Sequence, residues 1–377
     1  MFAVINNSLS RMRRNADSTF GPQPLRIGIL GFGHLGQFLC THFERERTKP
    51  TRDFDLIFIW NRSKTIFTKY GKELDQSLIV STVQEGLQRL PDLVVEVAHP
   101  DVIRTYGEQI LDVCDLFIGS PTALAYAPLE ARLRKKSIET GQAIYIASGA
   151  FWGADDIVKM SERDLVRSLT ITMKKHPDSF KLNEPLRSKL LHERAKIGDK
   201  HEEIIIYSGP VRELCRLAPN NVNTMAVGAI VADHLGFDGV QGCLVADSSL
   251  TDRHIVEIEL SGPETTIGDK KKPTFHLKTV RTNPAEIGFI TGTATLLSFV
   301  SSIKRAKGHI TGLDDPAAAK ARAEEAERKK AAEAAAEAEA KKKEQARSVK
   351  PILPYSSMFI FSSTNPIRRF FPAPFSL

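Results

Sequence analysis

The chain has 377 residues, 42% of them hydrophobic, which is the length and composition of a globular protein with two domains. Its formal net charge of +7 comes from basic residues near the two ends, and residues 27–316 are close to neutral. A nearly neutral body offers no phosphate-binding surface, so we expect no nucleic-acid partner, and without an apolar run of about 20 residues we expect no membrane association.

The first 25 residues are predicted to form a flexible extension. Residues 1–25 contain several arginines and serines but one acidic residue, and their apolar part is short. That composition also occurs in transit peptides, so organellar targeting is the alternative to a cytoplasmic location.

The four cysteines lack the Cys-x-x-Cys spacing of a zinc site or a redox motif: Cys40, Cys114, Cys215 and Cys243. Scattered cysteines are typical of small buried side chains in a reducing compartment. We therefore expect a cytoplasmic protein with no metal.

Three glycines follow the first predicted strand, in the stretch RIGILGFGHLGQFL, and match the pattern G-x-G-x-x-G. Gly31 would permit a tight turn, Gly33 would let the main chain approach a pyrophosphate, and Gly36 would let the following helix pack on the strand. His34 and Leu35 begin that helix, whose N-terminus favours an anion. The pattern predicts a dinucleotide site, and the alternative is a purely structural turn.

Four further apolar segments alternate with helical patterns after this turn. The five predicted strands span residues 27–30, 53–60, 92–98, 115–120 and 143–150. Strands alternating with helices predict an α/β fold with a doubly wound parallel sheet, so we assign residues 26–155 to a Rossmann domain.

The second predicted strand ends in the sequence IWNRSK, where NAD-selective proteins carry an acid. This chain has Asn61 and Arg62 there instead, and both are predicted to contact the cofactor. Arg62 would accept the 2′-phosphate of NADP, which makes NADP, alone or beside NAD, a possible cofactor. The alternative is that Arg62 is a solvated loop charge.

The pattern changes after residue 155, and residues 156–287 are predicted to form a second, α+β domain. Its predicted strands span 168–174, 202–209, 242–249, 254–262 and 274–281. Alternation along the strand that starts at His254 indicates a sheet with one exposed face. Two helices are predicted, at 222–236 and at 288–306, and the latter is expected to return to the Rossmann domain.

Residues 310–377 contain an Ala/Glu/Lys-rich segment followed by an aromatic, proline-rich tail. The first is predicted to be a solvated helix because it has no apolar stripe, and the second to be disordered or a partner-binding tail.

Candidate acid–base residues come from ten histidines, since the sequence has no nucleophile elbow, P-loop or H-E-x-x-H motif. His254 ranks first because it stands where a loop enters an alternating strand, and His176 ranks second. The alternative for each is a hydrogen-bonded structural histidine.

Four segments behind the glycine motif resemble the L-aspartate dehydrogenase family in sequence and in order. They are SGAFWGADDI (148–157), APNNVNTMAVGAIVA (218–232), DSSLTDRHIVEIELSGP (247–263) and RTNPAEIGFITGTATLLS (281–298). The resemblance implies a homodimer, formed through the second domain, that oxidises L-aspartate with NAD or NADP to iminoaspartate, which hydrolyses to oxaloacetate and ammonia or enters NAD biosynthesis.

The resemblance also implies roles for individual residues. The family's active-site histidine falls on His254, its cofactor-contacting alanine on Ala150, and its cofactor-contacting asparagine on Asn221 or, preferably, Asn223. Helix capping is the alternative for both asparagines. The candidates for binding the substrate carboxylates are Lys174, Lys175 and Arg253. Two other functions stay open, a related oxidoreductase acting on homoserine or an oxo acid, and a non-catalytic nucleotide sensor.

Overall fold

The structure, a computed structural model, describes residues 24–47, 52–71, 74–198, 202–267, 270–290 and 292–308. The extension predicted for residues 1–25 lies almost entirely outside these ranges, and the helix and tail predicted for 310–377 lie wholly outside them.

Five parallel strands form the first sheet, in the spatial order β2-β1-β3-β4-β5. They are β1 (Leu25–Leu30), β2 (Phe54–Trp60), β3 (Leu93–Glu96), β4 (Asp115–Ile118) and β5 (Ile144–Ile146). The predicted α/β fold with a parallel sheet is confirmed. Strand order reverses between β1 and β3, and folds of this kind bind ligands at the carboxyl ends of the strands beside such a reversal.

Helices connect these strands, and local sequence fixes several of their ends. They are α1 (His34–Arg47), α2 (Thr65–Tyr70), α3 (Val83–Gln88), α4 (Pro100–Leu111) and α5 (Ala127–Thr140). The Thr82 hydroxyl accepts a hydrogen bond from the Glu85 N–H and so caps α3. Helix α5 ends at Gly141, whose φ of 69° is the left-handed conformation that glycine adopts without strain.

The second sheet is mixed and has the order β12-β9-β6-β8-β7. Its strands are β6 (Ser168–Lys175), β7 (Ile204–Pro210), β8 (Gln241–Ala246), β9 (Arg253–Ser261) and β12 (His276–Pro284), and a separate hairpin joins β10 (Glu264–Ile267) to β11 (Lys270–Pro273). Only the β6–β8 pair is parallel. Side chains of β6 and β9 alternate between buried and more exposed positions, and for β9 this alternation was predicted. We term the buried side, which carries Leu169 and Ile171, the inner face and the opposite side the outer face.

The second half of the described chain contains more helices than predicted. They are α6 (Ala154–Ser161), α7 (Leu186–Ile197), α8 (Val211–Leu217), α9 (Asn223–Val231), α10 (Gly236–Gly239) and α11 (Thr293–Gly308). Helix α7 buries only Leu186 and Leu190, because its sequence has almost no apolar periodicity. Helices α8 and α10 are too short to show one.

Helix α11 begins at Thr293, five residues later than predicted, and Gly288, whose φ of 86° is not helical, precedes it. The helix packs on the first sheet, where the Phe299 ring lies 6.2 Å from the ring of Phe117. Ile303 is fully buried in the same hydrophobic cluster as Ile27 and Ile29. The last described helix therefore completes the core of the first sheet.

Three of the four cysteines are buried, and burial raises the pKa of the Cys215 thiol to about 12. Within the described ranges, no group of His, Cys, Asp and Glu side chains is arranged to hold a metal ion. No helix in those ranges is both long enough and apolar enough to cross a membrane.

Candidate active site

The turn between β1 and α1 forms the first part of the site. Gly31 has a φ of 116°, and a Cβ there would lie 2.8 Å from the main chain of Val97 and Ala98. A Cβ on Gly36 would overlap the carbonyl oxygen of Gly31. Nothing lies within 4 Å of the Cβ position of Gly33, which is exposed. The turn is therefore closely packed underneath and open above, where a pyrophosphate would bind.

Two side chains hold this turn in shape. The Asn61 Oδ1 accepts a hydrogen bond of 3.0 Å from the Phe32 N–H, and the Gln37 Nε2 donates to the Phe32 carbonyl at 3.1 Å. Asn61, predicted to contact the cofactor, thus uses its oxygen to fix the main chain that would bind the phosphates. Gln37 was not predicted because a polar residue inside a helix carries no sequence signal for this contact.

Arg62, His34 and Leu35 lie around the same turn. Arg62 and His34 are exposed, whereas Leu35 packs partly into the core of the first sheet. No carboxylate in the described part of the chain pairs with the Arg62 guanidinium. Arg62 is therefore accessible to a ligand phosphate at the end of β2.

Three buried polar side chains on the inner face of the second sheet form the second part of the site. Lys175, His254 and Asn283, the polar row, lie on β6, β9 and β12 and are 1%, 4% and 2% exposed. His254 pairs with Asn283, and since Lys174 pairs with Ile255, Lys175 comes opposite His254. Side chains paired in this way share a face, with Cβ atoms about 4.5–5.5 Å apart.

The polar row contains two unsatisfied atoms. Burial and the nearby Lys175 ammonium lower the pKa of His254 to about 4, so its imidazole is neutral at pH 7. Among the described residues, His254 Nε2 and Asn283 Oδ1 are buried and have no hydrogen-bond partner. Because an unsatisfied buried polar atom is destabilising, two such atoms on neighbouring strands indicate a place for a ligand.

The other cations and the second histidine predicted from sequence lie elsewhere. Lys174 points to the outer face, where its Nζ is 2.8 Å from Glu203 Oε1 and 3.5 Å from Glu257 Oε1. Arg253 is exposed and pairs with its neighbour Asp252. His176 Nδ1 accepts a hydrogen bond from the Asp178 N–H and caps a short turn.

Helix α9 carries Asn223 at its start and packs against the segment that follows Ala150. Asn223 is the first residue of α9, and its Oδ1 is buried without a partner among the described residues. Gly228 of the same helix lies against Phe151, which follows the buried Ala150. Neither asparagine caps the helix, because the capping position is Val222 and no side chain bonds there.

Asn221 has a different environment from Asn223. Its Nδ2 donates to the Lys181 carbonyl at 2.6 Å, and its Oδ1 accepts from the Lys181 N–H at 3.4 Å. Both ends of the buried amide are thus used within the protein. Of the two asparagines, Asn223 has the free atom that a cofactor requires.

Residues 285–290 connect the two parts of the site. The Lys175 ammonium donates to the Ile290 carbonyl at 3.0 Å, and the Gly288 N–H donates to the Ser179 hydroxyl at 3.0 Å. The Phe289 ring lies edge-on to the His34 ring at 5.8 Å. The segment therefore contacts the polar row at one point and the start of α1 at another.

Glu96, which sequence reasoning missed, ties two loops together at the carboxyl edge of the first sheet. Its carboxylate accepts hydrogen bonds from the Ala98 N–H at 2.7 Å and from the Ser120 N–H and hydroxyl at 3.0 Å. Burial raises the pKa of Glu96 to about 7. An acid within an otherwise apolar strand, LVVE, was the only available signal.

These features fit a nicotinamide dinucleotide. The N-terminus of α1 and the open space above Gly33 suit a pyrophosphate, and the unsatisfied amide oxygen of Asn223 suits a neutral donor such as the nicotinamide carboxamide or a ribose hydroxyl. The polar row offers a neutral base and a cation on the other side of the connecting segment.

Family profiles match both halves of the chain. Residues 31–147 match the profile described as homoserine dehydrogenase, NAD binding domain, and residues 156–306 match the one described as aspartate dehydrogenase, C-terminal.

Three relatives match between 63% and 76% of this chain. An aspartate dehydrogenase domain-containing protein of Xenopus tropicalis is 44% identical over 285 residues, which are 76% of this chain and 95% of that protein. The corresponding protein of Danio rerio is 41% identical over 76% of this chain and 96% of its own length. An L-aspartate dehydrogenase of Archaeoglobus fulgidus is 28% identical over 63% of this chain and 82% of its own length.

The fold is also similar to a solved structure. The crystal structure of aspartate dehydrogenase from Thermotoga maritima has a TM-score of 0.52 and 18% identity, and the match covers 78% of this chain and 99% of that one.

Proposed function

The chain belongs to the aspartate dehydrogenase family, and on that premise we propose that it oxidises L-aspartate with NAD or NADP. The product is iminoaspartate, which hydrolyses to oxaloacetate and ammonia. The observation that supports this proposal most is the polar row, where a neutral buried imidazole with an unsatisfied nitrogen lies beside a buried ammonium.

His254 is the proposed acid–base residue. A cofactor held at the β1–α1 turn and by Asn223 would supply a nicotinamide ring as the hydride acceptor for Cα of the substrate. The substrate ammonium must lose one proton as the C=N bond forms, and His254 Nε2 accepts it. Since the pKa of His254 is held near 4, the imidazole is already in its basic form at neutral pH. After that proton has passed to solvent, the same nitrogen takes a proton from the water that attacks the imine.

The cofactor-binding residues are proposed from the same geometry. The main chain at Gly31, Gly33 and the start of α1 holds the pyrophosphate, and Asn223 holds the nicotinamide end. Arg62 is exposed at the end of β2, and we propose that it allows NADP to bind alongside NAD.

A homodimer formed through the outer face of the second sheet is proposed as the active assembly. Val280 and Ile205 project from this face and are more than half exposed, which leaves apolar surface for a partner. Sedimentation velocity measures the mass in solution, and a monomer at micromolar concentration would refute this assembly.

The reaction is tested by measuring NAD(P)H formation with a panel of amino acids. We expect reduction of the cofactor with L-aspartate and little with L-glutamate or L-homoserine. His254→Ala should lower kcat well over tenfold and leave the Kd for NADH unchanged. His192→Ala, which removes an exposed histidine from α7, is the matched control. Full turnover by His254→Ala would remove this residue from the mechanism.

A further inference from the structure

We infer that Lys175 binds the side-chain carboxylate of the substrate and thereby makes the site selective for acidic amino acids. The inference rests on the proposed function and adds to it the residue that recognises the substrate class. It starts from an ammonium group that is buried without a counter-ion.

The ammonium of Lys175 has few partners within the protein. The side chain is 1% exposed, its Nζ donates to the Ile290 carbonyl at 3.0 Å, and it lies 5.7 Å from the centre of the Phe180 ring. An ammonium group has three N–H donors, and the described residues accept one of them. No carboxylate in the described ranges forms an ion pair with it.

A buried charge without a counter-ion is destabilising, and its burial lowers the pKa of Lys175 to about 8. The group is nevertheless protonated at neutral pH. A lysine whose only role is to stabilise the fold is expected to form an ion pair with a carboxylate of the protein. The adjacent Lys174 does so with Glu203 and Glu257 on the outer face. Lys175 therefore has no anionic partner among the described residues, and a bound ligand supplies that anion.

The position of Lys175 in the polar row indicates that this anion is a carboxylate of the substrate. Its side chain neighbours that of His254, whose unsatisfied Nε2 is the proposed proton acceptor. In aspartate both carboxylates lie within a few bonds of the amine. A side-chain carboxylate paired with Lys175 would thus hold the amine near the imidazole, and an amino acid with an uncharged side chain could not be held in this way.

The test uses the full chain and succinate, a four-carbon dicarboxylate without an amine. Calorimetric titration measures the succinate Kd with and without NAD, for wild type, Lys175→Met and Lys175→Gln. The glutamine variant keeps a donor for the Ile290 carbonyl but removes the charge. Lys189→Met is the matched control, because Lys189 also donates to a main-chain carbonyl, that of Ile206 at 2.9 Å, but is exposed.

We expect both Lys175 variants to bind succinate at least tenfold more weakly than wild type and Lys189→Met, with melting temperatures in the absence of succinate that do not fall. An unchanged succinate Kd in the Lys175 variants, no succinate binding by wild type, or a melting temperature that falls with no specific loss of affinity would each overturn the inference.

Turnover separates this inference from the proposed function. If succinate binds through Lys175 but L-aspartate produces no NAD(P)H, carboxylate recognition stands and the proposed reaction fails. If Lys175→Met oxidises L-aspartate with an unchanged KM, the reaction stands and the inference fails. A KM that rises for L-aspartate but not for L-asparagine supports contact between Lys175 and the side-chain carboxylate. Equal rises for both would assign Lys175 to the α-carboxylate and overturn the selectivity for acidic amino acids.

Discussion

Alanine substitutions at two glycines of the β1–α1 turn should separate ligand binding from folding. A Cβ at Gly36 overlaps the Gly31 carbonyl oxygen, which is main chain and cannot rotate away. A Cβ at Gly33 meets nothing within 4 Å and projects into the open space above the turn. Gly36→Ala is therefore expected to lower the stability of the protein, whereas Gly33→Ala is expected to weaken ligand binding at the turn.

The two effects differ in size and in kind. Overpacking of the kind expected for Gly36→Ala lowers the free energy of unfolding by about 1–3 kcal/mol. In a domain of about 150–250 residues, each kcal/mol lowers the melting temperature by about 2–4 °C. Gly33→Ala should change stability by less than about 1 kcal/mol. Loss of one charge-assisted hydrogen bond to a phosphate costs about 1.5–3 kcal/mol, so the Kd for NADH should rise by about 10- to 100-fold.

Thermal melting and titration of NADH fluorescence measure the two effects on the same samples. We expect Gly33→Ala to melt with the wild type and bind NADH weakly, and Gly36→Ala to melt several degrees lower. Wild-type NADH affinity in Gly33→Ala would refute the assignment of this turn to the pyrophosphate. A wild-type melting temperature in Gly36→Ala would refute the packing argument.

Three further predictions concern single side chains. Arg62→Ala should weaken NADPH binding about tenfold or more and leave NADH binding unchanged in fluorescence titrations, and equal losses for both cofactors would argue against a 2′-phosphate contact. Asn221→Ala should lower the free energy of unfolding in urea by about 1–3 kcal/mol, because it removes both hydrogen bonds to the main chain of Lys181, without the large loss of NADH affinity expected for Asn223→Ala. The folded-state pKa of His254 lies near 4 and its ordinary value is 6.5, so the unfolded chain binds the proton first on acidification. Wild type should therefore lose stability relative to His254→Gln as the pH falls from 6.5 to 4, and parallel urea midpoints over that range would contradict the buried neutral imidazole.

The first sheet and its turn could be predicted from sequence because their signals are local. An apolar run precedes the three glycines, and the strands that follow are short apolar segments separated by helical patterns. Helix α7 was missed since its polar sequence buries only two leucines. A helix of this kind forms through its packing on the rest of the fold, and its sequence has no apolar periodicity that would predict it.

The candidate site was only partly predictable for a related reason. His254 was identified, but its neighbours depend on β9 lying between β6 and β12, an order that no local pattern specifies. Lys174 and Lys175 are equivalent in sequence, and strand alternation places them on opposite faces of the sheet. Asn283 carried no signal because its importance comes from the register that sets it opposite His254.

Helix α11 has a consequence for how the protein is made. Phe299, Val300 and Ile303 belong to the core beneath β1, yet the ribosome adds them after every strand of both sheets. A nascent chain that has reached β12 therefore carries a nucleotide-binding half with part of its apolar surface uncovered. Until residue 303 has been synthesised, this uncovered apolar surface can bind chaperones or aggregate with other chains.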